Sequence, residues 1–279
     1  MSVTIKELLS GAAQRLQHLD TGRLDAEVLL AFLLNTGRES LFAHPEQTVP
    51  PELAADFQSL VAKRMDCYPV AYLTGIREFW SIGLLINQET LIPRPETESL
   101  VEAALELIPV DEPVNILDAG TGSGAIAIAI ARERPHSHVT ASDVSREALT
   151  VAQENAARLD IKNIRFRESD WFSAFTGEVF DLVVCNPPYV DSRDIGFQSG
   201  EIRYEPRLAL DGGYLGMQVI NHIVPAAGEH LKQDALLLLE HGSDQGESIR
   251  YLFLSNGYVD VKTRLDYAGR ERISMARKA

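Results

Sequence analysis

Residues 115–125 read Asn-Ile-Leu-Asp-Ala-Gly-Thr-Gly-Ser-Gly-Ala. A short apolar run enters a turn carrying Gly120, Gly122 and Gly124, and a helical stretch follows. Glycines in such a turn permit left-handed backbone angles and the close approach of a ligand. A strand that feeds a helix this way needs a parallel neighbour, which restricts the chain to an α/β sheet. The downstream sequence agrees. Strand signals at 114–119, 138–142, 164–168, 180–185 and 235–240 alternate with helical signals at 124–133, 146–159 and 216–232. The pattern predicts a mostly parallel sheet with helices on both faces. Alternating runs at 258–265 and 272–277 predict an antiparallel hairpin on the sheet edge.

The 279 residues leave room for a second, smaller domain. Ile5, Leu8, Leu9, Ala12, Ala13, Leu16 and Leu19 recur at helical spacing until Gly22. A second helix from about Asp25 is apolar nearly all round over 28–34, and so calls for cover on most sides. Asn35-Thr36-Gly37 stops it. Pro50-Pro51 opens a third helix, which carries Leu53, Phe57, Leu60, Val61 and Arg64. Residues 1–75 therefore read as a helical bundle, 76–92 as a linker with a short hairpin, and 93–279 as the sheet domain. The loop Leu91-Ile92-Pro93-Arg94-Pro95 leads into a helix starting near Glu96 or Thr97.

Composition removes several classes. No apolar run approaches the ~20 residues that span a bilayer. The N-terminus lacks the basic-then-apolar layout of a signal peptide, so a cytoplasmic location is expected. Cys67 and Cys185 lack zinc-like spacing; they are expected to be buried free thiols, and no metal site is expected. The formal charge of −14 argues against broad binding to phosphate backbones. Residues 1–84 hold seven Lys/Arg against ten Asp/Glu, which is no nucleic-acid module.

The ligand of the glycine turn is read from the acids around it. Gly120-x-Gly122-x-x-Ala125 also satisfies a relaxed dinucleotide fingerprint. Asp143, ending the next strand, suits ribose hydroxyls in either case; alternatively Asp143 or Ser145 caps the following helix. Asp118 tips the choice. A carboxylate just before the glycines repels a pyrophosphate and suits a cationic sulfonium and ammonium. S-adenosylmethionine carries both and no phosphate. The Asp-x-Gly-x-Gly order resembles the cofactor loop of class I methyltransferases.

Asn186-Pro187-Pro188-Tyr189 follows the fourth strand. An amide or exocyclic amino nitrogen is a poor nucleophile, because its lone pair is delocalised. It must be held so that this pair points at the methyl group. The Asn186 side-chain oxygen and the Pro187 carbonyl can each accept one N–H. The prolines fix the backbone, and Tyr189 can stack on the planar group. No strong general base is needed first, since the proton becomes acidic only after methylation. Trp171 either stacks on an adenine or packs in the core. His241 is a candidate acid–base group that the chemistry does not require. Arg94 and Glu96, with Glu98, either face the site or, for the two acids, favour a helix N-terminus.

The segments Asp118–Gly124, Asn186–Tyr189 and Ile92-Pro-Arg-Pro-Glu-Thr-Glu98 together resemble the HemK-type release factor glutamine methyltransferases. Tyr72-Leu-Thr-Gly-x-x-Glu78-Phe-Trp80, Arg203-Tyr-Glu-Pro-Arg-Leu-Ala-Leu210 and Leu239-Glu-His-Gly242 add to the likeness, which runs over nearly the whole chain. It implies a Rossmann-like class I methyltransferase sheet behind a small N-terminal helical bundle. The implied reaction methylates the glutamine amide in the Gly-Gly-Gln motif of bacterial class I peptide-chain release factors. S-adenosylmethionine is the implied donor and S-adenosylhomocysteine the product. Cofactor contacts are implied from Asp118, Gly120, Thr121, Gly122, Ser123, Gly124, Asp143, Trp171 and Asn186. Asn186, Pro187 and Tyr189 would be catalytic. Pro188, Arg94 and Glu96 would join them in binding substrate. The helical bundle would dock on the release factor, and a monomer is expected.

Three alternatives compete. A DNA or RNA amino-methyltransferase would use the same tetrapeptide on adenine or cytosine, but needs base flipping and a basic groove. A non-catalytic scaffold would be expected to lose the glycine turn or Asn186. A nicotinamide dehydrogenase is disfavoured by Asp118.

Overall fold

Strand alternation positions the site. The computed structural model describes residues 3–279 and divides into two compact units. The first holds the residues up to Ile76 together with Gln198–Tyr204; the second holds Arg77–Phe197 and Glu205–Ala279.

In the first unit, α1 (Ile5–Arg15), α2 (Gly22–Leu33), α3 (Arg38–Ala43), α4 (Pro51–Met65) and α5 (Val70–Thr74) accompany a two-stranded pair, β1 (Val3–Thr4) and β2 (Thr48–Val49). Thr4 and Glu7 form a reciprocal capping box at the start of α1. Ile5, Leu8, Ala12 and Leu16 pack against Leu29, Leu30, Leu41, Phe57 and Val61. The second helix is covered less completely than its composition suggests. Phe32 is 45% exposed, while Asp25 and Glu27 of the same helix are buried. Their charges are paired: Arg64 Nε donates to Asp25 at 2.7 Å, and Arg23 and Arg38 bond Glu27. Arg64 Nη2 also meets Glu201 at 2.7 Å, within the segment that joins this unit from far along the chain. Cys67 is half-buried rather than buried; Cys185 is buried as expected.

The second unit, from Arg77, holds all but the first residue of the hairpin β3 (Ile76–Phe79) and β4 (Ile82–Leu85), followed by a 3-10 turn over Pro95–Thr97 and α6 (Glu98–Leu107). Then come β5 (Asn115–Ala119), α7 (Ala125–Glu133), β6 (His138–Asp143), α8 (Arg146–Arg158), β7 (Ile164–Glu168) and β8 (Phe180–Cys185). The chain ends with α9 (Gln218–Ala227), β9 (Leu231–Glu240), α10 (Gly246–Ser255), β10 (Tyr258–Leu265) and β11 (Glu271–Lys278). The seven-stranded sheet has the order β10-β11-β9-β8-β5-β6-β7. Strands β5 to β9 are parallel, and β10 and β11 form the antiparallel edge. The helix expected over 216–232 is shorter. Pro225 lies in its last turn, and Leu231 already pairs with Phe180 as strand. Helix α10 and the short α3 had no counterpart in the sequence reading.

Successive strand residues face opposite sides of the sheet. Ile116, Leu182, Val184, Leu238 and Ile273 pack against α6, α7 and α8. Leu117, Val183, Cys185, Leu237 and Leu239 pack against α9 and α10. The same parity carries Asp118, Asn186 and Glu240 toward the α6–α7 side. Register brings their strand ends level: Ala119 pairs with both Ser142 and Cys185, and Cys185 with Leu239. Strand order reverses between β5 and β8, so Gly120, Asp143 and Asn186 surround the topological switch point, where open α/β sheets bind ligands.

Candidate active site

The glycine turn is held from below by Asp118. This residue is wholly buried, and its Oδ2 accepts from the Thr121 hydroxyl at 2.7 Å and from the Ala127 amide at 3.1 Å. Oδ1 has no hydrogen-bond partner. Burial pushes the Asp118 carboxyl up to about 7. Thr121 and Ser123 are buried within the turn. Gly122 has φ +55, and a side chain there would point into open space. Gly124 has φ +85, and a Cβ would lie 3.1 Å from that of Ala152, so α7 and α8 pack closely only because it is glycine.

Above the turn lies a cavity of about 520 Å³. Gly120, Gly122, Asp143, Ser145, Ala148, Trp171, Asn186 and Pro188 line it, with Glu89–Leu91 and Pro206–Ala209 from outside the strand ends. Asp143 accepts from the Gly122 amide through Oδ2 and from the Ser145 amide through Oδ1, both at 2.9 Å. Burial raises its pKa. The cap of α8 is the Ser145 hydroxyl, which accepts from the Ala148 amide at 3.0 Å. Trp171 sits over the turn in a left-handed conformation, φ 48; a Cβ on Gly120 would meet its ring at 3.3 Å.

The Asn186–Tyr189 segment is buttressed on two sides. Toward α6, the Asn186 side-chain nitrogen donates to Thr97 Oγ1 at 3.1 Å, and the Tyr189 hydroxyl donates to Glu240 Oε1 at 3.0 Å. Thr97 and Glu240 are buried. Burial raises the pKa of Glu240, while hydroxyls from Thr97 and Tyr189 and the charge of Arg272 favour its ionised form. Burial, with the Glu240 charge, also raises that of Tyr189. On the other side, Gln245 donates to the Tyr189 carbonyl at 3.0 Å, and the Gly212 amide donates to the Val190 carbonyl at 2.8 Å. Asn155 clamps the glycine turn to the hairpin: its nitrogen donates to the Ser123 carbonyl at 3.0 Å and the Leu85 carbonyl at 2.9 Å.

The structure thus gathers Gly120, Gly122, Asp143, Trp171, Asn186 and Pro188 around one cavity. Asp118, Thr121, Ser123, Gly124, Pro187 and Tyr189 support it without lining it. Arg94 and Glu96 also stand outside the lining. Arg94 pairs with Glu205, whose carboxylate also accepts from the Ile92 amide at 3.1 Å, while Glu96 is exposed. His241 is buried, with Nδ1 at 2.8 Å from the Gly242 carbonyl and Nε2 at 2.9 Å from Ser274 Oγ; burial lowers its pKa. The sequence reading missed Thr97, Glu240, Asn155 and Gln245. Glu240 had a usable signal, an acid closing an apolar strand with the parity of Leu238.

Two family models match the chain: a PrmC N-terminal domain over residues 7–75 and a methyltransferase small domain over 99–202. The release factor glutamine methyltransferase of Escherichia coli (strain K12) is 45% identical over 269 residues, covering 96% of this chain and 97% of that one. The enzyme of the same name from Pseudomonas aeruginosa is 44% identical, covering 93% and 94%. In fold, the chain is similar to a methyltransferase from Pyrococcus furiosus, at a TM-score of 0.53 and 20% identity over 71% of this chain and 89% of that one. With such relatives matched from end to end, the chain belongs to the release factor glutamine methyltransferases.

Proposed function

We propose that this protein methylates the side-chain amide nitrogen of the glutamine in the Gly-Gly-Gln motif of class I peptide-chain release factors. The observation that carries the reading is Asn186 at the cavity wall with its own nitrogen bonded to Thr97, which leaves its oxygen to accept from a substrate N–H. The Pro187 carbonyl accepts the second N–H, and Tyr189, anchored through its hydroxyl, supplies a flat apolar surface. Holding a planar amide this way lowers the barrier by orientation and electrostatic preorganisation. No base is required before transfer, and the buried Glu240 serves as an anchor. The helical unit docks on the release factor, the enzyme acts as a monomer, and Arg94 and Glu96 shape the wall behind the substrate loop.

S-adenosylmethionine, when bound, supplies an electrophilic methyl group on a cationic sulfur. The residues fit it. The cavity volume falls in the range of cofactor sites, about 300–1,000 Å³. The unpartnered Asp118 oxygen gives the turn a carboxylate that a cation compensates. Asp143 suits the ribose, Trp171 the adenine, and Gly120–Gly124 the amino acid portion.

The direct test incubates the protein and labelled donor with a purified release factor or with duplex DNA. Label is expected in the release factor; label in the DNA alone would overturn the reading. A second expectation concerns pH. Because a cation favours ionised Asp118, donor affinity should rise with pH up to about 7, by at most about tenfold per unit, and flatten above. Calorimetry in buffers of different ionisation enthalpy should show proton release on binding below that pH. Asp118→Asn should remove both effects; their persistence would place the titration elsewhere.

A further inference from the structure

Outside the strand ends, two loops wall the donor cavity: Glu89–Leu91 and Pro206–Ala209. Neither lies in a strand of the sheet. Pro93 and Pro95 lack an N–H, so the stretch after Leu91 cannot build a ladder of its own. A buried backbone N–H there has to find an acceptor elsewhere. Ile92 is buried, and its amide donates at 3.1 Å to Oε2 of Glu205, 113 residues along the chain. The other oxygen of Glu205 accepts from the Arg94 guanidinium at 2.5 Å. Both partners can only donate, and the carboxylate meets one with each oxygen. The Glu205 side chain is wholly buried, whereas Arg94 reaches partly into solvent.

Ile92 adjoins the lining residue Leu91, and Glu205 adjoins the lining residue Pro206. One carboxylate therefore joins the two loops immediately beside the cavity. At its far end the second loop is fastened by Asp211. That side chain accepts from the Ser192 hydroxyl, and from Arg207 Nε and the Gly213 amide, each at 3.0 Å. Without Glu205 the loop keeps that anchor and loses the other. An apolar residue at 205 would leave the Ile92 amide and Arg94 without this acceptor. All of these residues belong to the second unit.

We infer that Glu205, with Arg94, is a positioning residue for the methyl donor: it clasps the Leu91 and Pro206 walls together, so that the cavity retains what it binds. This rests on the reading of that cavity as the S-adenosylmethionine site. Neither side chain lines the cavity, and both act through the loops they join. The consequence falls on how long the donor stays and not on the transfer of its methyl group.

The test measures donor affinity in the full-length protein without release factor, by calorimetric titration of S-adenosylmethionine. It compares Glu205→Gln, Arg94→Met and the double variant. Each single substitution should raise the donor Kd about tenfold, the scale of one lost charge-assisted hydrogen bond. The change should lie mostly in faster dissociation. The double variant should bind no more weakly than the poorer single variant, because the two side chains act through one contact. With release factor present, Glu205→Gln should raise the donor KM by the same factor and keep kcat at saturating donor within about threefold, since no reacting atom is touched. A merely structural role would do the opposite: fewer folded molecules lower kcat and leave Kd and KM alone. That outcome would overturn the inference, as would a parental Kd in either single variant or losses that multiply in the double variant. If Glu205→Gln fails to fold, Arg94→Met, at the partly exposed end, still decides. Absence of donor binding to the parent would instead sink the reading of the cavity.

Discussion

Asn186→Ala is expected to lose about 10²–10³-fold in kcat, the usual consequence of deleting one preorganised polar contact to the reacting group. On the proposed reading the side chain would hold the substrate amide by its oxygen, since its nitrogen is bonded to Thr97. Its removal leaves the Pro187 carbonyl as the remaining acceptor and a substrate nitrogen free to rotate its lone pair away from the methyl group. Donor binding should persist in part, because Gly120, Gly122, Asp143 and Trp171 line the same cavity independently. The melting temperature should barely move, since Asn186 is only half-buried. Single-turnover kinetics with saturating release factor, beside calorimetric titration of the donor, separate these effects. An unchanged kcat would refute the cradle.

Gly216→Ala should be the most damaging single methyl group in the catalytic unit. A Cβ at Gly216 would lie 1.9 Å from the Tyr189 carbonyl oxygen and 2.5 Å from the Gln245 side-chain nitrogen, on a backbone with φ +66. Left-handed strain alone costs about 1 kcal/mol. The clash is with backbone, so the Pro188–Tyr189 turn has to shift. A total of about 3 kcal/mol or more is expected, which lowers the melting temperature by roughly 6–12 °C in a domain of this size. A displacement near 1 Å of the substrate cradle would cost kcat about 100-fold. Gly75→Ala is the control. Gly75 also has positive φ, +72, but a Cβ there meets nothing within 4 Å. It should show the backbone strain without the loss of turnover. Equal effects from the two substitutions would mean that contact with Tyr189 is unimportant.

What the sequence disclosed follows from the range of the interactions involved. The strands were legible because apolar runs and the glycine turn are local signals. The edge hairpin was legible because Tyr258–Leu265 and Arg272–Arg277 alternate over short runs. Helix α3 escaped notice because it has six residues and only Leu41 is buried. The attachment of Gln198–Tyr204 to the helical unit was invisible, since it depends on contacts such as Arg64 with Glu201. In the site, Asp118 was singled out for its charge, yet its full burial and unpartnered oxygen emerge only from α7 packing over it. His241 and Glu240 show the same limit. They are neighbours in sequence, and the histidine drew attention as a titratable group. Parity turns His241 to Ser274 and Glu240 toward Tyr189.

That parity also governs which insertions and deletions the gene can absorb. Asn186 faces α6 because it lies an even number of residues beyond Leu182 and Val184 on β8. Losing or gaining one codon within 180–185 would present Asn186 to the α9 side and bring a proline or a cysteine into its place. The loop that precedes β8 carries no such count. Length variation among relatives should therefore gather before Phe180 and leave the interval from Phe180 to Tyr189 at one fixed length. The placement of the Asn186 side chain is in this sense encoded as a reading frame of side chains along a single strand.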